Sequence, residues 1–162
     1  TMVKAYRTKI LDTRKTTPGL RLLEKYAVRM GGGYNHRFSL DEMILIKDNH
    51  IRIAGGLDKV KALPANYKTE IEVKNLEEFA SALRLKPDII MLDNMSYKDM
   101  KEAVKLRNSL SPQKINPLPK LEASGGVSLK NVKKMASTGI DMISIGSLTH
   151  SVEGIDISLE FS

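Results

Sequence analysis

With 162 residues, the chain has the length of one domain that can bury its own core, and we expect a single domain over residues 1–162. Its 41% apolar and 28% charged residues are typical of a soluble globular protein, and the absence of cysteine excludes disulfides, thiolate metal sites and cysteine nucleophiles. The net charge of +7 predicts anionic partners, although the scarcity of aromatic residues argues against a stacking surface for single-stranded nucleic acid.

Signals for membranes or export are not found in the sequence. No apolar stretch approaches the ~20 residues that a membrane helix needs. The first residues, TMVKAYRTK, lack the apolar block of a secretory signal. Together with the absence of cysteine, these features favour a cytoplasmic protein.

The first predicted strand ends in cationic side chains. Ile10 and Leu11 close a short apolar run, and Thr13, Arg14 and Lys15 follow almost at once. If the strand is buried, these polar side chains emerge at the mouth of a pocket. This stretch is therefore the first candidate for the chemistry.

A helix is predicted directly after these cations. Pro18 suits the first helical position, and Gly31 can close the last turn with a positive φ angle. The apolar residues between them recur at three-and-four spacing, which is typical of a helix: Leu20, Leu22, Leu23, Tyr26, Ala27 and Met30. The glycines at residues 31–33 are interpreted as a helix end and a flexible loop.

The second predicted strand repeats the pattern of the first. After the loop residues His36 and Arg37, an apolar run over residues 43–46 leads directly to Lys47. Cations gathered in one concave mouth repel each other unless an anion binds between them. Arginine also offers a planar fork that can hold a carboxylate through two hydrogen bonds. Binding of a dicarboxylate or a diphosphate is one interpretation of these cations, and ordinary surface charge is the other.

The alternation of strand and helix continues along the chain. Further strands are predicted over residues 68–73, 88–92, 120–123 and 141–145. Helices are predicted over residues 76–83 and 96–110 and from Ser128, as the N-cap, to Gly139, with a proline-rich loop over residues 111–119. About six such units with short loops predict a parallel sheet with right-handed crossovers. A doubly wound sheet and a barrel both fit, and we prefer the barrel because it gathers every strand end at one mouth.

Acidic residues follow or end two of the later strands. Glu72 and Asp93 would lie inward at the mouth, where a carboxylate is paired, hydrated or bound to a metal. A metal site and salt bridges with the cations remain equal alternatives. Glu122 could support them from the next strand, but the direction of its side chain is undecided and it stays outside the predicted site.

Glycine-containing loops follow the last two strands, at residues 124–126 and 146–147. Such loops can present bare backbone N–H groups to a phosphate, and barrels often hold phosphate at this place. Either loop alone is more simply a tight turn. The two together, on adjacent strands, favour a phosphate site.

The three histidines are not assigned a proton transfer. His36, taken alone, is more simply a hydrogen-bonded loop residue. His50 is expected to be structural, at the start of a helix, and His150 lies in the loop beside the predicted phosphate site.

Three motifs in the first third of the chain resemble a known family. LDTRKTTPGLR, GGGYNHR and IKDNH, in this order and at these intervals, are similar to the barrel domain of quinolinate phosphoribosyltransferase, also called nicotinate-nucleotide pyrophosphorylase (carboxylating). The resemblance continues through EIEV, IIMLDN, ASGG and IGSLTHS. It implies an α/β fold, an incomplete TIM-like barrel of about six parallel βα units. It also implies that the N-terminal domain of the family is absent from this chain.

The resemblance implies roles for the residues at the strand ends. Those that bind quinolinate would be Thr13, Arg14, His36, Arg37 and Lys47. Lys15 would lie nearer the phosphoribosyl donor and act in catalysis with Glu72 and Asp93, which would contact the ribose hydroxyls and the Mg²⁺ cofactor. The residues that bind phosphate would be Ser124, Gly125, Gly126, Ile145, Gly146 and Ser147.

The implied reaction joins quinolinate to 5-phosphoribosyl 1-diphosphate, releases diphosphate and carbon dioxide, and forms nicotinate mononucleotide for NAD synthesis. Two alternatives remain: a molybdenum-transport-associated relative with another acceptor, and a non-enzymatic basic module that binds nucleic acid. In the first interpretation the partners are the two substrates, without nucleic acid or membrane, and a second subunit in a homodimer or higher homo-oligomer. Because the family's N-terminal domain covers the barrel mouth of the partner subunit, we expect the chain alone to be inactive.

Overall fold

The computed structural model describes residues 3–60, 62–64, 66–110, 117–151 and 156–161. The strands in these ranges are β1 (Lys9–Leu11), β2 (Ile44–Ile46), β3 (Thr69–Val73), β4 (Ile89–Asp93), β5 (Lys120–Ser124) and β6 (Met142–Ser144). The helices are α1 (Arg21–Met30), α2 (Asp48–Ala54), α3 (Leu76–Leu85), α4 (Tyr97–Asn108) and α5 (Val132–Ala136). Short 3₁₀ turns cover Lys4–Tyr6, Leu57–Lys59 and Gly146–Leu148. Among the described residues, none of the helices is long and apolar enough to cross a bilayer.

The strands form one parallel sheet of six in the order β1-β6-β5-β4-β3-β2. From β2 to β6 the order in space follows the order in the chain, and β1 then pairs with β6, Leu11 lying opposite Ser144. A doubly wound sheet would reverse its strand order at a switch point. The α/β fold is therefore the predicted incomplete TIM-like barrel, with β1 and β2 at the two open edges.

The main core lies between the outer face of the sheet and the helices. Successive side chains of a strand point to opposite faces, and Ile71, Ile90 and Leu121 are fully buried on the outer face with Phe79 of α3 and Met100 of α4. Replacing a buried phenylalanine such as Phe79 by alanine costs roughly 3–5 kcal/mol. The inner face carries the polar side chains of the strands: Glu70, Glu72, Asp93, Glu122, Ser124 and Ser144.

Side-chain caps determine where α3 and α4 begin. Asn75 Oδ1 accepts a hydrogen bond from the backbone N–H of Glu78 at 2.8 Å, and Ser96 Oγ accepts one from Asp99 at 3.2 Å. Only two or three residues thus separate each helix from the strand before it. The short connection leaves the end of each strand free to face the barrel mouth.

The first helix differs from its prediction at both ends. Pro18 lies in a turn, and α1 begins at Arg21 because Gly19, with φ +80°, cannot continue a right-handed helix. At the other end Gly31 has an ordinary φ of −73°, and the positive φ of +84° belongs to Gly32. The helix exists as predicted, but it is shorter, and the residue with a positive φ angle comes one position later than predicted.

The fifth helix also starts later than predicted. Ser128 does not cap it, because the backbone N–H of Ser128 itself donates to Asn131 Oδ1 at 2.8 Å and residues 129–131 form a turn. The helix proper begins at Val132. The predicted proline-rich loop of residues 111–119 lies outside the described residues from 111 to 116.

The burial of α1 is the reverse of what an apolar stripe normally gives. Leu22, Leu23 and Met30 are 63–69% exposed, whereas Lys25 is only 2% exposed. Lys25 Nζ donates to Asp12 Oδ1 at 2.5 Å, and Asp12 is fully buried directly after β1. The helix is therefore held to the barrel by a buried ion pair, and its apolar side chains face outward.

Candidate active site

A cavity of about 600 Å³ lies at the carboxyl ends of the strands. It brings together nearly all of the predicted site residues: Thr13, Arg14, Lys15, His36, Arg37, Lys47, Glu72, Asp93, Ser124, Gly125, Gly126, Gly146 and Ser147. Ile145 is the exception, because its side chain packs against the core and its backbone N–H donates to Leu11 O at 2.9 Å. Asn94 and His150, which the sequence did not place in the site, line the same cavity.

The loop after β1 is held by contacts to its backbone. The N–H of Lys15 donates to Thr13 Oγ1 at 3.1 Å, and Thr149 Oγ1 donates to the carbonyl of Lys15 at 2.7 Å. Arg21 of α1 donates to the carbonyl of Arg14 at 3.4 Å. These bonds leave the side chains of Arg14 and Lys15 free to face the cavity.

The loop that carries His36 and Arg37 is fixed from below by Asp12. This fully buried carboxylate accepts bonds from Lys25, from Asn35 Nδ2 at 2.5 Å and from the backbone N–H of His36 at 2.8 Å. A buried charge with three donors is well satisfied. The loop is thereby tied to the end of β1, which places Arg37 in the cavity wall.

Arg14 and Arg37 form a region of like charge. Burial, and after it the charge of Arg14, lowers the pKa of Arg37 below its ordinary value. Arg37 Nη1 donates to Met43 O at 2.7 Å, and Arg14 Nε is buried without a hydrogen-bond partner among the described residues. A buried donor without a partner is costly. An anion in the cavity would relieve both the repulsion and the unpaired donor.

Glu72 and Asp93 stand beside Lys47 at the mouth. Lys47 Nζ lies 3.5 Å from Glu72 Oε2, so part of the predicted salt-bridge alternative is realised. Burial raises the pKa of Glu72; Lys47 opposes this shift and the charge of Asp93 adds to it. Lys74 also interacts with the charges of Glu72 and Asp93, and the oxygens of the two carboxylates are ligands that Mg²⁺ prefers. The residues at this place therefore fit the predicted ion.

Two glycines of these loops lie close to neighbouring side chains. A Cβ atom at Gly125, which has φ +93°, would overlap Asn94 Oδ1, and one at Gly146 would overlap His150 Nε2, unless those side chains moved. Glycine at both positions brings bare backbone to the cavity. This is the arrangement that a phosphate group needs.

Below the cavity, three titratable side chains are packed together inside the barrel. His36 Nε2 lies 3.0 Å from Glu70 Oε2 and 3.6 Å from Glu122 Oε1, and both glutamates are fully buried. Neither contact has strict hydrogen-bond alignment, but at 3.0 Å Glu70 Oε2 is the nearer acceptor for His36 Nε2. Burial, followed by the charge of Glu70, raises the pKa of Glu122 to about 7. Ser144 lies close enough to lower that pKa, yet its hydroxyl forms no aligned bond within the described residues.

The same three residues have the composition of a metal site, since their ligand atoms lie within 4.8 Å of one another. However, the backbone N–H of Arg37 donates to His36 Nδ1 at 2.9 Å. Nδ1 is thus the acceptor, and the proton of a neutral ring is on Nε2, the nitrogen that would have to bind the metal. Although burial lowers it, the hydrogen bond and charge of Glu70 raise the pKa of His36 overall. A second proton on Nδ1 would face the Arg37 N–H, so we assign the neutral Nε2–H form.

Glu70 is the residue that sequence reasoning missed. It lies two positions before Glu72 in TEIEV, so both face the inside of the barrel. That alternation was the available signal. His50, in contrast, has the expected structural role, because its Nδ1 accepts the backbone N–H of Lys47 at 3.0 Å and stabilises the start of α2.

Comparison with known proteins shows similarity along nearly the whole chain. Residues 1–160 match the family model described as quinolinate phosphoribosyl transferase, C-terminal domain. The chain is 46% identical to a probable nicotinate-nucleotide pyrophosphorylase [carboxylating] of Synechocystis, over 96% of this chain and 52% of the relative. It is 44% identical to the nicotinate-nucleotide pyrophosphorylase [carboxylating] of Mycobacterium leprae, over 98% and 55% respectively.

A solved structure gives the same result. The nicotinate-nucleotide pyrophosphorylase from Francisella tularensis superposes with a TM-score of 0.84 at 44% identity, over 97% of this chain and 55% of that one. The chain thus spans about half the length of the proteins it matches. The similarity covers every strand end that lines the cavity.

Proposed function

The chain belongs to the quinolinate phosphoribosyltransferase family, matching its C-terminal domain, and from this premise we propose that the protein joins quinolinate to 5-phosphoribosyl 1-diphosphate. The products are nicotinate mononucleotide, diphosphate and carbon dioxide. The observation that carries the proposal is the pairing of two anion sites in one cavity, a cationic wall and a glycine-lined wall. A dicarboxylate acceptor and a phosphorylated donor need such a pair.

The acceptor lies against the cationic wall in this proposal. Arg14 and Arg37 offer planar donor groups to the two carboxylates, and Lys47, which lines the same cavity, adds a point charge. Thr13 lines the same wall and can donate from its hydroxyl. Holding both carboxylates orients the ring so that its nitrogen faces the anomeric carbon of the donor.

The donor lies against the other wall. Its 5-phosphate rests on the backbone of residues 124–126 and 146–147, and its ribose hydroxyls reach Glu72 and Asp93. Mg²⁺, when bound through Glu72 and Asp93, would supply charge neutralisation for the diphosphate. Lys15, exposed beside this wall, stabilises the negative charge of the leaving diphosphate.

The proposed reaction has two steps. The ring nitrogen attacks the anomeric carbon as the bond to diphosphate oxygen breaks, which leaves a positively charged pyridinium. The bond between the ring and the adjacent carboxylate breaks next, carbon dioxide leaves, and the electron pair on the ring carbon takes up a proton. The positive charge of the pyridinium stabilises that electron pair.

We propose further that the complete protein acts as a homodimer or higher homo-oligomer and that this chain by itself is inactive. The support is that the chain spans about half the length of its relatives and that the apolar side chains of α1 face outward. An open cavity is more hydrated, which weakens each cation's hold on the substrate. A comparison of turnover by this chain and by the complete protein tests this point.

The test of the main proposal is the stoichiometry of the reaction on the complete protein. We expect one diphosphate and one carbon dioxide for each nicotinate mononucleotide, only when both substrates and Mg²⁺ are present. Diphosphate release with another acceptor and none with quinolinate would indicate the molybdenum-associated relative. Salt-dependent binding to random DNA without turnover would indicate the nucleic-acid-binding alternative.

A further inference from the structure

The proposed reaction assigns no step to His36, which lines the cavity, or to Glu70 and Glu122, which are buried beside it, yet all three are costly to bury. Glu70 and Glu122 are fully buried carboxyl groups that share the neighbouring ring of His36, and Ser144 and Lys68 also lie near enough to Glu122 to lower its pKa. Buried polar groups of this kind are expensive unless they are satisfied. Apolar side chains inside the barrel would avoid that cost. The presence of these three residues is therefore best explained by an effect on the site above them.

His36 connects this trio to the cavity. Its Nε2 faces the carboxylate of Glu70 at 3.0 Å, and its Nδ1 accepts the backbone N–H of Arg37 at 2.9 Å. Its own backbone is held on both sides, because its N–H donates to Asp12 at 2.8 Å and its carbonyl accepts from Lys25 at 2.9 Å. The ring therefore has one orientation, with both nitrogens engaged by the protein.

Arg37 is held by hydrogen bonds at its backbone and at its guanidinium group. Its backbone N–H donates to His36 Nδ1, and its Nη1 donates to Met43 O at 2.7 Å. Arg14, whose charge lowers the pKa of Arg37, pushes against this guanidinium. Repulsion of that kind would turn a loosely held arginine out of the cavity, so the anchoring matters for its position.

We infer that Glu70 is a positioning residue for the acceptor carboxylates, because it holds the Nε2–H tautomer of His36 and so fixes the backbone beneath Arg37. The inference deepens the proposed function and depends on it only for the identity of the acceptor. It also changes the predicted role of His36 from binding quinolinate to orienting Arg37. The positive charge at the acceptor carboxylates then comes from Arg14, Arg37 and Lys47.

The first test is the tautomer itself, measured by NMR on the complete protein with ¹⁵N-labelled histidine. We expect an unprotonated Nδ1 and a protonated Nε2 at His36, before and after quinolinate is added. His36→Gln assigns the signal. A ring protonated on both nitrogens, or on Nδ1 alone, overturns the inference whether or not the protein has the proposed activity.

The second test separates positioning from stability. In Glu70→Leu the acceptor for Nε2 is lost, and we expect the KM for quinolinate to rise about tenfold while kcat and the KM for 5-phosphoribosyl 1-diphosphate stay within about twofold. Glu70→Gln keeps an oxygen that accepts from Nε2, and its KM values should stay within about twofold of the wild type. Equal rises in both KM values, or no recovery in Glu70→Gln, would overturn the positioning role.

Three further variants separate a positioning effect from a folding defect. Thr8→Val removes another buried hydrogen bond, from Thr8 Oγ1 to Ile140 O, at the opposite end of β1, and should lower stability without a preference between the substrates. His36→Phe and His36→Asn repeat the comparison from the ring, since only asparagine can still accept the N–H of Arg37. If wild-type protein shows no turnover, the proposed function fails, and the NMR test still decides the tautomer.

Discussion

Two layers of the barrel interior hold carboxylates with opposite properties. The upper layer, formed by Lys47, Glu72 and Asp93, borders the cavity, whereas the lower layer, formed by His36, Glu70 and Glu122, is buried beneath it. Glu70 and Glu72 come from the same strand, two residues apart. Glu72 in the upper layer thus faces solvent and a lysine. Glu70 in the lower layer faces a histidine and another carboxyl group. Depth in the barrel decides whether a glutamate borders the cavity or is enclosed among buried side chains.

The layers do not follow the strand register. Across β4, Glu72 is level with Met91, and Met91 is level with Glu122. Glu122 nevertheless lies in the lower layer beside His36 and not in the upper layer with Glu72. Strands of a barrel are tilted and staggered, so residues that are level in the sheet differ in depth along the barrel axis. The surroundings of each carboxylate are therefore set by the tilt and stagger of the strands in the curved sheet.

The largest effect is expected at Asp12, which supports the loop that carries His36 of the lower layer. Asp12→Ala removes the partner of Lys25, which is 2% exposed, and of the loop that carries His36 and Arg37. An unpaired buried charge costs roughly 3–5 kcal/mol, so the free energy of unfolding measured in urea should fall by about that amount. Asp58→Ala, which breaks the exposed pair with Arg84, serves as the control and should leave the transition almost unchanged. Equal shifts in the two variants would contradict the support role of Asp12.

A loss confined to the acceptor wall of the cavity is expected from Arg37→Ala. The change removes a charged donor group, and one such contact is worth roughly 1.5–3 kcal/mol. Calorimetry should therefore show weaker binding of quinolinate, with binding of 5-phosphoribosyl 1-diphosphate nearly unchanged. Arg84→Ala, an exposed arginine paired with Asp58, is the matched control. Equal losses for both ligands would remove Arg37 from the acceptor site.

The free energy of unfolding should depend on pH through Glu122 in the lower layer. Because the pKa of Glu122 is raised from 4.5 to about 7, the folded state binds more protons than the unfolded state between these values. The stability contributed by this group is complete below about pH 4.5 and is lost as the pH rises through about 7. Since the charges of Glu70 and His36 act on Glu122 in opposite directions, we expect a loss on the order of 1 kcal/mol. Glu122→Gln should flatten this part of the curve, and an unchanged slope in the variant would refute the prediction.

The smallest effect is expected for a conservative change in the upper layer. Asp93→Asn replaces a carboxylate by an amide, a poorer ligand for Mg²⁺, and should raise the Mg²⁺ concentration needed for turnover by about threefold or more. The fold and the affinity for quinolinate should not change. Asp58→Asn, far from the cavity, controls for lost charge. A Mg²⁺ dependence equal to that of the wild type would take Asp93 out of the metal site.

Much of the fold followed from local pattern. The alternation of apolar runs and helical spacing predicted the strands and helices, and the polar residues after each run predicted the cavity wall. The errors lie where one residue outweighs a pattern. Gly19 delays α1 by three residues, and Asn131 replaces Ser128 in organising the start of α5. In both cases a hydrogen bond or a backbone angle within the turn competes with the helix, and periodicity does not report it.

By itself, the sequence determined which residues stand at the strand ends, because parallel strands that each lead into a helix expose the same end to the same side. It therefore identified the cations, the acids and the glycines of the cavity. Only the tertiary structure decided which helix face is buried, since Lys25 faces inward only because Asp12 lies beneath it. It also decided the depth of each carboxylate. Glu70 and Glu122 meet at His36 because staggered strands and a loop from the open edge converge inside the barrel, and such contacts between distant parts of the chain leave no local pattern.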